Sequence, residues 1–234
     1  MESLFKIVLT TSGFCAIDKL IKKSTYFKRD NSRWYLMHFI TNMYIVYHTF
    51  EDMVAIIINP AININLPINN PMFIVSALHL YHIISFYKKM TFDDWWHHVL
   101  NCFLVTLLTY YYKLGIMINY FLFYMCGLPG GIDYGLLTLN EIGAISRITE
   151  KRINKYLNMW IRLPGILYGC AVGWFALTVG NLGGLNPIVV LFIGILNFYN
   201  AIYFASLVTE NAGYHKCMDQ INIYKYPQKS IVTL

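Results

Sequence analysis

ALHLYHIISFYKKMTFDDWWHHVLNCFLVTLLTYYYKL, residues 77–114, sets two apolar runs on either side of a short charged turn. Four of the chain's seven histidines flank that turn. His79 and His82 precede it, and His97 and His98 follow it. Both runs read as membrane-embedded helices. An ionisable side chain is costly in hydrocarbon, so a histidine inside such a run is a candidate functional residue.

The composition agrees. The chain has 234 residues, 57% of them hydrophobic and 13% charged, whereas soluble domains carry about 25% charged residues. This is the signature of an all-α, polytopic membrane helical bundle. The net charge of +6 forms no basic stripe with exposed aromatics, so a nucleic-acid partner is not expected. The five cysteines are Cys15, Cys102, Cys126, Cys170 and Cys217. They are odd in number and scattered, and they suggest neither a disulfide framework nor a zinc site. No N-x-S/T sequon occurs.

Outward from the quoted stretch, the chain resolves into about seven transmembrane helices: 3–18, 34–58, 72–87, 97–112, 115–131, 163–180 and 188–208. Residues 59–71, NPAININLPINNP, read as an uncharged extended loop. Residues 88–96 read as a turn, with Asp93 and Asp94 as helix N-caps. Pro129 should kink or end the fifth helix, and Asp133 could cap its continuation to about residue 145. Residues 146–162 read as a separate basic, amphipathic interfacial helix. The small residues Gly165, Gly169, Gly173 and Gly180 suit close helix packing. Three parts follow: an N-terminal helix and basic loop over 1–33, a transmembrane core over 34–208, and a polar tail over 209–234.

Charge tests this layout. If the helices alternate and loop 19–33 is cytosolic, the cytosolic segments hold sixteen of the eighteen Lys and Arg. The positive-inside rule then predicts an outside (lumenal) N-terminus and a cytosolic C-terminus. Whether 115–145 crosses once or twice decides the parity beyond it.

The same layout sets depth. His38, His82 and His98 each lie four or five residues in from a cytosolic helix end, so three helices bring histidine to one level. His48 and Asp133 lie deeper. A histidine with a carboxylate partner can deprotonate a hydroxyl or amine beside a bound lipid, and His97 or His98 with Asp133 or Asp94 would form such a pair. The alternative is hydrogen bonding within the bundle. No metal is expected: one H-x-x-H and one H-H fall short of the repeated H-x-x-H-H boxes of membrane di-iron desaturases.

The segment DDWWHHVLNCFLVTLLTYYYKLG resembles the histidine-pair segment of TLC-domain proteins, which include ceramide synthases and translocating-chain-associating membrane proteins. The resemblance implies a six-helix TLC-like core, here 34–208, after one N-terminal helix. It implies an endoplasmic-reticulum or other endomembrane location and a lipid-facing cavity. Into it would point His97, His98 and Asp133 as catalytic residues, with His38, His48, His79 and His82 as substrate-binding ones. Asp133 stands near the second Asp of the ceramide-synthase H-D-x-x-D pattern, while Leu128, Pro129 and Gly130 stand where His-Asp would precede it. Two readings follow. One is acyl transfer onto a lipid amine or hydroxyl, with acyl-CoA as co-substrate and no bound cofactor. The other is a non-enzymatic lipid sensor, carrier or membrane-composition regulator. The partner in either case is membrane lipid, and nothing in the sequence fixes an oligomeric state.

Overall fold

The computed structural model describes residues 2–66 and 71–225, without the side chains of residues 2, 93, 97, 100–102 and 222–225. Among the described residues the chain is all-helical, with no strand. Helix α1 runs Glu2–Ile21, α2 Asp30–Ile58 and α3 Met72–Phe86, the last followed by a 3-10 turn, Tyr87–Lys89. Helix α4 is continuous through Phe92–Trp96, a π-helical stretch His97–Leu104, and Val105–Tyr112. Helix α5 joins Ile116–Leu122, Phe123–Gly127 and Leu128–Glu141. Helix α6 joins Arg147–Leu157, Asn158–Arg162 and Leu163–Val179, and α7 runs Pro187–Lys225.

Several expectations are corrected here. Pro129 does not end its helix. A proline lacks the N–H and crowds the preceding turn, and α5 absorbs this with a wider π turn. The Leu128 N–H reaches back five residues to Phe123 O. The same device precedes Pro164, where the Leu163 N–H bonds Asn158 O. Asp133 is therefore mid-helix rather than a cap, and residues 116–141 run as one helix without reversal. Residues 146–162 are not a separate interfacial helix but the first half of α6, with Glu150, Asn154, Leu157 and Asn158 buried. The turn before α4 is shorter than expected. Thr91 caps the helix, and Asp94 reciprocates by accepting from the Thr91 N–H and Oγ1 at 2.8 Å. The helix over 188–208 continues through the expected polar tail as far as Lys225.

The helices alternate in direction, and their ends gather into two contrasting sets of contacts. At one end, Arg33 at the start of α2 donates to Asp18 of α1 at 2.8 Å and to Asp30 at 2.5 Å. Lys89 after α3 also pairs with Asp30, and Arg29 pairs with Glu141 at the end of α5 at 3.4 Å. Lys89 and Arg33 hold the Asp30 carboxyl below the usual carboxylate range, against the opposing effect of burial. At the opposite end the contacts between loops are made by uncharged groups. The Ile116 and Met117 N–H groups bond Leu66 O and Ile64 O, Asn65 donates to Gly183 O, and Asn181 donates to Ala61 O. Gly115 touches the backbone of Asn65 and Leu66 so closely that a side chain there would collide. Between the ends, Tyr124 of α5 packs under Gly165 of α6 and Tyr120 under Gly169, and the Tyr120 hydroxyl donates to Gly165 O at 2.9 Å. Gly173 makes no such contact.

Two stretches, Arg147–Val179 and Pro187–Ile221, are long and apolar enough to cross a membrane. The others do not meet that measure: α3 has 15 residues, and in α2 polar residues such as His38, Asn42, His48, Glu51 and Asp52 lower the hydropathy.

Candidate functional site: a cluster of buried histidines

Helices α2, α3 and α4 each deliver histidine to one place. His38, His79, His82 and His98 are all buried, His82 completely. Their ring centroids lie 4.4 Å (His38–His82), 4.7 Å (His79–His98), 5.7 Å (His82–His98), 5.9 Å (His79–His82) and 6.5 Å (His38–His79) apart.

The arrangement has a core and a rim. Four rings stack in a column: Trp34 on His82 at 4.2 Å, His82 on His38 at 4.4 Å, and His38 on Tyr134 of α5 at 4.0 Å. His79 and His98 stand edge-on to it. Stacked rings bury large apolar faces while leaving ring nitrogens at their edges.

Backbone carbonyls set the tautomers. Nδ1 of His38 lies 3.0 Å from Trp34 O, that of His79 2.7 Å from Val75 O, and that of His98 2.6 Å from Asp94 O. A carbonyl oxygen can only accept, so each Nδ1 is the donor. In the neutral ring the lone pair is then on Nε2. Each histidine bonds the carbonyl four residues back on its own helix, so helical geometry alone holds the ring. Such imidazoles are oriented to take a proton at Nε2. Among the described residues no three His, Cys, Asp or Glu groups converge in a way that could hold a metal ion.

The structure does not bring the other candidates into this cluster. His48 lies further along α2 against Tyr44 and Tyr47, at 4.2 and 5.1 Å. The side chain of His97 lies outside the described residues; its backbone opens the π-helical stretch of α4. Asp133 neighbours Tyr134 in sequence, but successive helical residues point about 100° apart. Its carboxyl belongs to a second buried cluster, where the charges acting on it are those of Glu150, Lys151 and Arg162. There Glu150 pairs with Lys151 at 2.9 Å. Arg162 donates to Asn158 at 3.4 Å and to Asn200 at 3.3 Å, with its guanidinium 4.7 Å above the Phe204 ring. Asn158 donates to Asn154 Oδ1 at 2.6 Å. Asp133 Oδ1 and Arg162 Nε have no hydrogen-bond partner.

Sequence reasoning missed both ends of the ring column and all of the second cluster. Trp34 stands four residues before His38, on the same helix face. Glu150, Asn154, Asn158 and Arg162 also recur every four residues, and that spacing could have marked a buried polar face inside a basic segment.

Compared with models of known families, with curated proteins and with solved structures, the chain matches none.

Proposed function

We propose that this chain is a multi-pass membrane protein that handles a lipid, with the histidine cluster as its working centre. Several observations support a membrane setting beyond the two helices that qualify by length and apolarity. Large apolar side chains are exposed along most of the helices, among them Leu4, Phe5, Tyr47, Leu107, Tyr111, Trp160 and Ile195, a surface a soluble monomer rarely carries. The ion pairs gather at one end of the bundle and loops nearly free of Lys and Arg at the other, as alternating spans with a cytosolic basic face lead one to expect. On this reading the remaining helices also cross, giving seven spans in a TLC-like bundle. The N-terminus is then lumenal, the C-terminus cytosolic, and the membrane an endomembrane such as the endoplasmic reticulum.

One observation carries the catalytic reading. Three histidines from three helices have Nδ1 tied to backbone, which leaves Nε2 as the acceptor. His98 or His79 then serves as general base for acyl transfer. Nε2 takes the proton of a lipid hydroxyl or amine as its O or N attacks the carbonyl carbon of an acyl thioester. The C–S bond breaks, and the departing CoA thiolate is reprotonated. The orienting partner of the base is a backbone carbonyl, that of Asp94 for His98 or of Val75 for His79, rather than Asp133.

A second reading, lipid binding without turnover, is favoured by the complete burial of His82 within its column and by the engagement of Asp133 elsewhere. Incubating the purified protein with acyl-CoA and membrane lipids, beside His98→Gln, separates the two. An acylated lipid that His98→Gln fails to make supports catalysis. A co-purifying but unmodified lipid supports the carrier or sensor. No specific lipid with either protein contradicts both.

A further inference from the structure

Helices α6 and α7, the two that qualify as membrane spans, do not close against each other along their full length. They touch where Cys170 Sγ donates to Gly194 O at 3.4 Å. Beside that contact, a Cβ added at Gly173 or Gly194 would find no atom within 4 Å. At Gly169, one turn earlier, the same Cβ would meet the Tyr120 and Phe121 rings at 2.7 and 2.8 Å. The gap is a groove of about 310 Å³ at the end of the bundle where Ile64, Leu114 and Leu185 meet. Its floor is Met117, Ile118 and Phe121 of α5, and no lining side chain carries a charge. Its edges are open: Trp174 is 63% exposed, Ile195 60% and Phe198 49%.

We propose that this groove holds one hydrocarbon chain of a membrane lipid, at a site separate from the histidine cluster. The volume lies within the roughly 300–1,000 Å³ of small-molecule sites. The apolar lining offers nothing to a headgroup but suits methylenes. Gly173 and Gly194 add no side chain to the slot, which suits an unbranched chain. The open edge lies on the two spanning helices, so the chain enters sideways from the bilayer. The inference rests on α6 and α7 crossing the membrane and not on histidine chemistry.

Trp174 on the groove edge is the reporter. The full chain is reconstituted in phosphatidylcholine vesicles containing increasing fractions of bromine-labelled acyl chains, beside Trp174→Phe. The difference isolates quenching of Trp174 from that of the other four tryptophans. A bound chain predicts that this component saturates at a bromolipid fraction several-fold below that needed by the others. Gly173→Leu with Gly194→Leu puts side chains into the slot from positions where an added Cβ meets nothing, and should move the curve to that of bulk lipid. Quenching of wild-type Trp174 that simply tracks the bulk fraction overturns the proposal, whether or not the leucine pair folds. A covalent dimer formed by cysteines placed at 173 and 194 also overturns it, by seating a second copy in the groove. No quenching of Trp174 at any fraction would instead remove the membrane placement of α6.

Discussion

The two sides of α5 bury polar groups in opposite ways. On one side Tyr134 joins a column of rings in which His38 and His82 lie face to face, and His38, like the edge-on His79 and His98, donates to a carbonyl of its own helix. On the other, Asp133 shares its surroundings with Glu150, Lys151 and Arg162; Glu150 pairs with Lys151, while among the described residues Asp133 Oδ1 and Arg162 Nε find no hydrogen-bond partner. Imidazole can be buried neutral, because stacking satisfies its faces and one carbonyl satisfies its N–H. A carboxylate or guanidinium has no such option, and its burial depends on the opposite charge nearby. The first arrangement tolerates loss of a proton-carrying edge without collapse. The second does not tolerate loss of either sign. That asymmetry marks the histidine side for chemistry and the carboxylate side for holding α5, α6 and α7 together.

The largest effect should come from the carboxylate side. Arg162→Met removes the buried cation beside Asp133 and leaves only Lys151 to offset it, and should cost about 3–5 kcal/mol, read as a collapse of the thermal transition in detergent. Adding Asp133→Asn should restore much of it. If the double variant is no better than the single, the two groups are not coupled.

On the histidine side, His82→Ala empties the middle of the column and should cost about 2–4 kcal/mol. His82→Phe keeps the stack and should recover most of that stability. Equal losses for both variants would mean that His82 serves through its nitrogens rather than its faces.

His98→Gln should separate chemistry from packing. It should lower turnover by about 10²–10⁴-fold if His98 is the base, with a change in melting temperature far smaller than that of His82→Ala. A fall in stability that matches the fall in turnover would make the ring structural.

The smallest effect lies outside both clusters, at the charged end. The Asp30 carboxyl is depressed by Lys89 and Arg33, so its contribution is present above the unfolded value of about 3.9 and is lost as pH falls below it. Asp30→Asn should remove less than about 1 kcal/mol at neutral pH and flatten the acid limb of a stability profile. A variant that steepens that limb would reverse the sign.

Much of the helical layout was legible because apolar runs and turn residues punctuate the chain. The quoted stretch showed α3 and α4 with their histidines, and the positions of Lys and Arg anticipated which ends meet. What was not legible were departures from ideal helical geometry. Three π-helical stretches carry α4, α5 and α6 past points where spacing or proline suggested a break, and hydrophobic periodicity has no signature for them. Depth along each helix put His38, His82 and His98 at one level, but azimuth was lost, so Asp133 and His48 seemed to share a site they do not share. The stack of Trp34 and Tyr134 on the histidines depends on side-chain packing between helices distant in sequence, which no local pattern encodes.

The most direct measurement is native mass spectrometry of the purified wild-type protein beside His79→Gln with His98→Gln. The account predicts a specific lipid, or its acylated product, with the wild type and its loss in a double variant that melts within a few degrees of wild type. Retention of the same lipid by the variant, or loss that merely accompanies unfolding, would contradict the assignment of the histidine cluster as the working centre.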